Sequence, residues 1–505
     1  MNQIEKILML PLDDRPCNYL FPQKMLGKNN PEFEMILPDR DKIGWKKIPA
    51  QKDYVERFLL ENAARAQIAV ISIDMLLYGG LLNGRLHHYT KTELVSRLKI
   101  LEELKRRNPA LKIYAFHLIM RCPQYSSLEE EPDYYEECGR EIFLLGESLH
   151  KQKLGLEVDE AALESYKIKT AGVLGDYLAR RAVNVEMNCK TIDYVGSVID
   201  FLIIPQDASS VYGYIAEDQK KVYDYIKECK KQFQVQINPG ADEVGMTLVC
   251  RAILEHKGIA PSVYLYYSCV HTPFLVPKYE DRVLGESVGS QVSAAGCRIT
   301  TDRSKADLIL AVNGAAEEML EADSQERDII GYRVARNLSL FVKTIAEDVR
   351  SGRAVAVADV AYGNGGDLEL AALLECAGIA FDVVSYGGWN TSGNTLGTVI
   401  AMAALSTVFG KNADADRFLA LRYFEDIGFC THSRHVIAEK LGELACDYRD
   451  LGEKNPQISS LIRSETQSYM SGLMPSLTAR YEIGGCSMPW NRMFETEFSI
   501  NERKR

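Results

Sequence analysis

Carboxylates and amides recur at one kind of place in this sequence: just after short apolar runs. Asp13 and Asp14 follow the run 7–12, Asp39 follows 33–37, Asp74 follows 68–73, and Asp207 follows 201–204. Asp242 and Glu243 come after 234–237, Asn313 after 308–312, Asn364 and Asp367 after 354–361, and Asn390 after 381–385. Groups of this kind do acid–base chemistry, act as nucleophiles, bind hard cations, or hold hydroxyl-rich ligands. The plainer role is as turn residues and helix N-caps, where Asp and Asn are preferred.

The densest block is Asp13-Asp14-Arg15-Pro16. Pro16 biases Arg15 away from helix, so the chain stays extended and the two Asp side chains point in opposite directions. One is then an acid, a base or a metal ligand, and the other pairs with Arg15 or caps a helix. A structural Asp–Arg pair at a strand end is the competing reading. Asp242-Glu243 lies within Gly240-Ala241-Asp242-Glu243-Val244-Gly245, where glycines permit close approach. Neighbouring carboxylates can separate in pKa into an acid and a base. With Asp207 they fit the two-carboxylate arrangement of a glycosidase. They equally fit a site for magnesium, calcium or manganese, or simply a capped helix start.

Two glycine turns follow. Gly363-Asn364-Gly365-Gly366-Asp367 opens a helix, which predicts an anion site of backbone N–H groups. The position of the third fingerprint glycine holds Leu368, which argues against NAD binding. The stretch 387–395 places Trp389 after two glycines, beside Asn390 and Asn394. A ring face with amides and hydroxyls is what a sugar requires. Arg121 and Arg492 either grip a substrate carboxylate or neutralise the acids around them. His117 lies inside an apolar run and reads as core, whereas His271 follows a strand end and remains a candidate. There is no H-E-x-x-H and no G-x-x-x-x-G-K-[ST], which argues against zinc-protease and P-loop chemistry.

These residues need elements to position them. The runs are four to eight residues long and continuously apolar, as strands buried on both faces of a parallel sheet are. Between them lie helical periodicities: Val55, Phe58, Leu59 and Ala63 share one face, as do Leu94, Leu98, Leu101 and Leu104. Thr90 and Glu93 have capping-box spacing. The pattern predicts an α/β fold: a parallel-sheet domain over 1–260, barrel-like or doubly wound; a second α/β domain over 261–410; and a helical C-terminal region over 411–505. Within that last region, 416–426, 434–451 and 458–474 read as helices, and 501–505 as a flexible charged tail.

At 505 residues the chain can bury a large core. Hydrophobic residues at 46% and charged residues at 26% are ordinary for a globular protein, and the net charge of −11 disfavours nucleic acid and anionic membranes. No run approaches 18 apolar residues, and the first residues contain no apolar signal core, so a cytoplasmic location is expected. The twelve cysteines form no C-x-x-C pair and read as small buried hydrophobes.

Several blocks together resemble one bacterial family. They are 10–16 with Asn18, Asp74 through Gly79-Gly80, Pro205-Gln206-Asp207, Gly240-Ala241-Asp242-Glu243, 387–391 with Gly393-Asn394-Thr395, and Pro489-Trp490 with Arg492 and Glu495. The family is the domain of unknown function numbered 4127, and the resemblance spans nearly the whole chain. In that family a second acid often follows the Pro-Gln-Asp block, where this chain has Ala208, which argues against a carboxylate pair at 207 and 208. The family name implies no activity, so the expectation rests on the residues. It is a hydrolase of a small carbohydrate or glycoside, drawing its acid and its nucleophile or base from Asp13, Asp14, Asp207, Asp242 and Glu243. Trp389, Asn390 and Asn394 would hold the sugar, with Arg15, Asn18, Asp74, Asn364, Asp367 and Trp490 as further binding residues, and Arg121 or Arg492 for an acidic substituent. No cofactor is expected. The alternatives are a hydrolase, lyase or isomerase using the same acids to bind a divalent metal, and a non-catalytic small-ligand binder. The expected partner is a small molecule, with neither nucleic acid nor membrane; a homo-oligomer is left open.

Overall fold

The computed structural model describes residues 4–28, 30–325 and 329–503. The chain divides into two compact units: Met1–Asp14, Asn30–Leu248 and Tyr279–Asp281 form the first, and Arg15–Asn29, Val249–Lys278 and Arg282–Arg505 form the second.

The first unit is built on six parallel strands: β1 (Glu5–Leu10), β2 (Phe33–Ile36), β3 (Ile68–Ser72), β4 (Lys112–Phe116), β5 (Phe201–Gln206) and β6 (Val235–Pro239). Their order is β2-β1-β3-β4-β5-β6, so the sheet is open and doubly wound and not a barrel. The order reverses between β1 and β3, which makes their carboxyl ends the place where such folds bind ligands. Both helical faces read from the sequence are buried, and the Thr90–Glu93 capping box is formed. β4 stops at Phe116 although the apolar run continues to 120. The reason is local: the Leu118 N–H leaves the ladder and donates to Asp74 Oδ2 at 3.0 Å.

The second unit contains β7 (Ser262–Tyr267), β8 (Arg298–Ile299), β9 (Leu308–Gly314), β10 (Leu320–Glu321), β11 (Val355–Val360), β12 (Tyr362–Gly363) and β13 (Ser385–Gly387). Five of these make a parallel sheet ordered β13-β11-β9-β7-β8, again doubly wound, and β10 pairs with β12. The run 381–385 becomes a strand only from Ser385. Helix Ser392–Phe409 is the one helix among the described residues long and apolar enough to cross a membrane, and 78% of that window is buried in the protein.

The C-terminal region is helical, with two departures from expectation. It contains an antiparallel hairpin, β14 (Tyr481–Ser487) and β15 (Glu497–Glu502), which takes in Asn501 and Glu502 of the expected flexible tail; 504–505 lie outside the described residues. Helix Ala413–Arg422 continues as eleven π-helical residues, Tyr423–Ser433, and of 434–451 only Arg434–Ala438 is α-helical. Asn455–Leu473 is helical nearly as read. None of the twelve cysteines forms a disulfide, and only Cys376 is exposed.

Candidate functional site

In the first unit, the chain just beyond β3, β4 and β5 lines a small cleft, part of it open to solvent. Asp74, Leu81, Gly84, Arg85, Leu118, Ile119, Met120, Arg121, Asn184 and Asp207 line it. Asp74 sits in the first turn of helix Ile73–Tyr78, capped by the Ser72 hydroxyl and ended by Gly79 at φ 90°. Its carboxyl is buried, and burial pushes its pKa up to about 7 against the pull of the Leu118 N–H and the Arg85 charge.

Asp207 has different surroundings. Arg85 donates from Nη2 to its Oδ2 at 2.7 Å, and Arg121 Nη1 lies 3.8 Å from the same oxygen. The two arginines share further acids. Arg85 Nη1 donates to Glu130 Oε2 and Glu131 Oε1, both at 3.1 Å. Arg121 donates from Nε to Glu131 Oε1 at 2.7 Å and from Nη2 to Glu130 Oε2 at 2.6 Å. Burial alone would work against the Arg121 charge. Tyr125 and the three carboxylates around it outweigh that and raise its pKa well above the ordinary value. Arg181, itself paired with Asp218 at 2.7 Å, donates from Nη1 to the Arg121 carbonyl at 3.0 Å and so fixes the backbone there. Asn184 completes the wall. Its Nδ2 donates to the Gly84 carbonyl at 2.7 Å, and its Oδ1 meets His87 Nε2 at 2.7 Å.

The second unit has a polar centre of another kind. Asp359 at the end of β11 accepts from the Asp367 N–H at 2.7 Å, the Tyr386 hydroxyl at 2.8 Å and Asn313 Nδ2 at 2.9 Å. Burial, with the Asp367 charge beside it, holds Asp359 above the ordinary carboxylate range. Arg336 pairs with Asp367 at 2.7 Å. The π-helical segment brings Glu425 and Asp426 against the fully buried Arg422, and burial raises both carboxyls, Glu425 to about 7. Each acid here is spent on protein partners.

The glycine turn of this unit is likewise filled. The N–H of Asn364 donates to the Asn390 carbonyl, that of Gly366 to the Asp426 carbonyl, and that of Leu368 to Gln325 Oε1. Asp367 Oδ1 caps the N–H groups of Glu369 and Leu370. The expected anion site is therefore corrected: these donors are satisfied within the protein.

A family model for the protein of unknown function DUF4127 matches residues 7–499. The chain belongs to that family. No curated protein matches it at a significant level.

Of the residues singled out in this DUF4127 chain, Asp74, Arg121 and Asp207 meet at the cleft, whereas Asp13, Asp14, Asp242 and Glu243 are not among its lining. Asp13 is buried and Asp14 half-buried, with its carbonyl accepting from Arg40 Nε at 2.8 Å. Glu243 folds back so that its Oε2 accepts the Ala241 N–H at 2.8 Å; this is the helix-start role, and Gly240 at φ 123° leaves room for it. Asp39 is exposed and paired with Lys42 at 2.9 Å. Arg15, Trp490 and Arg492 form their own cluster in the second unit. The two guanidinium carbons stand 4.6 and 4.8 Å from the Trp490 ring centroid, and both arginines pair with Glu495, so Arg492 neutralises an acid.

Asn18 is buried beside Cys17. Trp389 is half-buried, edge-on to Phe21 at 6.0 Å, with Nε1 donating to Thr398. Asn390, at φ 51°, and Asn364, at φ 60°, hold the two glycine turns together, and Asn394 lies buried in the first turn of helix Ser392–Phe409. His271 is exposed, and His117 is a core residue whose pKa burial lowers to about 3. Among the described residues, no group of three or more His, Cys, Asp or Glu stands where it could hold a metal ion.

Arg85, Glu130 and Glu131 escaped the sequence reading. The available signal was the acidic triplet 129–131 before Pro132, which reads locally as a solvated loop.

Proposed function

We propose that the chain is a cytoplasmic hydrolase of a small carbohydrate or glycoside, with Asp74 as general acid and Asp207 as base or nucleophile. One observation carries this reading: two carboxyls line one cleft in opposed electrostatic surroundings. Asp74 is buried with its pKa up at about 7, and Asp207 is ion-paired to Arg85 and Arg121. Two-carboxylate hydrolysis needs such a division, because a protonated acid must reach the leaving oxygen while an ionised partner serves water or the anomeric carbon. Leu81, Leu118, Ile119 and Met120 also line the cleft. A small-molecule substrate, with neither nucleic acid nor membrane, goes with this reading.

The test is turnover of a panel of aryl glycosides by the full chain and by Asp74→Asn and Asp207→Asn. The reading expects cleavage of at least one neutral glycoside and loss of about 10²-fold or more in each folded variant. Full activity in both variants, or none in the wild type, overturns it.

A further inference from the structure

We propose that Lys24 of the second unit is a reactive amine that captures small aldehydes as an imine, with Glu425 carrying the proton that the step requires. Lys24 sits in helix Phe21–Leu26, three residues after Phe21, so the two side chains share one helix face. Phe21 shows what that face packs against. Its ring centroid lies 4.4 Å from the Arg422 guanidinium carbon, and the ring stands edge-on to Phe418 at 5.4 Å. The face carrying Lys24 thus meets the junction between helix Ala413–Arg422 and the π-helical segment that holds Glu425.

The amine is left over when the charges around it pair. Lys24 is half-buried, yet among the described residues it makes no hydrogen bond and no ion pair. Arg422 is engaged with Glu425 and Asp426, and Arg417 with Asp414 at 2.9 Å. Burial without a partner penalises the charged form and pushes the Lys24 pKa below the ordinary lysine range; Glu425 and Glu497 oppose this, and Arg422 and Arg417 add to it. Lysines desolvated in this way are nucleophiles, because more of the amine is neutral. Glu425 is buried, with its pKa up at about 7, and its Oε2 accepts no hydrogen bond among the described residues. A half-buried amine admits only small carbonyl compounds.

The step balances without a further reagent. The neutral Nζ attacks the aldehyde carbon, an N–C bond forms, and the carbonyl π pair moves to oxygen. That oxygen takes the Glu425 proton, and the nitrogen returns one to the carboxylate. In the second half the hydroxyl takes the proton again and leaves as water. The nitrogen lone pair closes the C=N bond, and the last N–H proton goes back to Glu425. The products are the imine and one water, with Glu425 unchanged.

The test is reductive labelling of the full-length protein. Propionaldehyde with cyanoborohydride at pH 8 marks each lysine by reducing its imine, and peptide mass spectrometry gives the rate at each site. Lys305 and Lys220, exposed and ion-paired, are the references. Lys24 should be labelled at least about tenfold faster, since each unit by which a pKa is depressed multiplies the neutral amine about tenfold. A parallel series with acetic anhydride, which needs the free amine but no dehydration, separates nucleophilicity from carbonyl capture. Glu425→Gln should slow the aldehyde reaction at Lys24 by roughly tenfold or more and leave its acetylation as fast or faster. Glu425→Asp, which keeps a carboxyl, should retain more of the aldehyde rate.

Lys24 labelled by propionaldehyde no faster than Lys305 overturns the proposal, and that comparison needs no variant to fold. Fast acetylation of Lys24 with ordinary aldehyde capture overturns it as a carbonyl site. Slowing of both reagents alike in Glu425→Gln overturns the proton-carrying role of Glu425.

Discussion

Arg85 Nη2 donates to Asp207 Oδ2 at 2.7 Å, across 122 positions of sequence and with the arginine almost completely buried. Arg85 is also bonded to Glu130 and Glu131. Removing one partner of a buried ion pair strands the other charges, which costs about 3–5 kcal/mol. Arg85→Met should therefore destabilise the protein by that order in urea unfolding, well beyond the loss of side-chain packing. Adding Asp207→Asn to it should recover part of the loss, because one stranded carboxylate is gone. A single-variant loss below about 1 kcal/mol would show that the cluster is not energetically coupled.

Asp74 gives a prediction with a definite sign. Its folded pKa is about 7, above the unfolded carboxylate value of 3.8. Between these values the folded state binds the extra proton, so this contribution to stability is full at low pH and declines as pH rises from about 4 to about 7. Asp74→Asn keeps the shape and removes the ionisable group. The variant should gain stability relative to the wild type as pH rises, by up to a few kcal/mol at pH 8, while losing activity. The same group predicts that kcat/KM falls as pH rises above about 7, because a general acid must carry its proton. Melting curves of both proteins from pH 4 to 8 check the first claim, and a rate profile checks the second. A stability difference that does not change with pH would sink the assignment of a raised Asp74 pKa.

Much of the scaffold could be read from single residues in order. Continuous apolar runs such as 68–72 and 308–312 read as strands buried on both faces, and the rim of acids beyond them follows from strand polarity. That is why Asp74, Arg121 and Asp207 were found. What stayed hidden depends on distant pairing. Arg85 lies on a four-residue helix, and its carboxylate partners stand 45, 46 and 122 positions away, so no local period announces them. Glu243 and the 363–367 turn misled for the opposite reason: helix starts and ligand sites use the same residue types, and only the bonds of Ala241 and Gly366 tell them apart. The π-helical segment Tyr423–Ser433 has the composition of an ordinary helix. The hairpin Tyr481–Ser487 with Glu497–Glu502 mixes glycines and charges and lacks a clean alternation.

Trp490 is a structural anchor of the second unit by the same kind of reasoning. Its ring is 1% exposed, at a strained φ of 52°, with the guanidiniums of Arg15 and Arg492 over it. Truncating a buried aromatic costs about 3–5 kcal/mol, and each desolvated cation–π contact adds about 1–2. Trp490→Leu should lower urea stability by at least about 3 kcal/mol, and Trp490→Phe, which keeps a ring face for both arginines, by clearly less. Equal losses in the two variants would show that volume alone matters and that the arginines contribute nothing.

Gly366 separates packing from ligand binding in the glycine turn. A Cβ there would stand 2.4 Å from the Tyr386 hydroxyl, 2.4 Å from Ile427 Cδ1 and 3.0 Å from Asp359 Oδ2. The penalty is steric, since close contact and not a left-handed backbone demands the glycine. Gly366→Ala should therefore cost about 1–3 kcal/mol by forcing apart the Asp359–Tyr386 contact. Gly172, with open space around its Cβ position, is the control, and Gly172→Ala should stay within about 0.5 kcal/mol of the wild type. Because the N–H groups of Asn364, Gly366, Asp367 and Leu368 are already bonded, inorganic phosphate at millimolar concentration should leave the melting temperatures of wild type and Gly366→Ala equally unchanged. Phosphate stabilisation of the wild type, lost in Gly366→Ala, would instead make this turn an anion site.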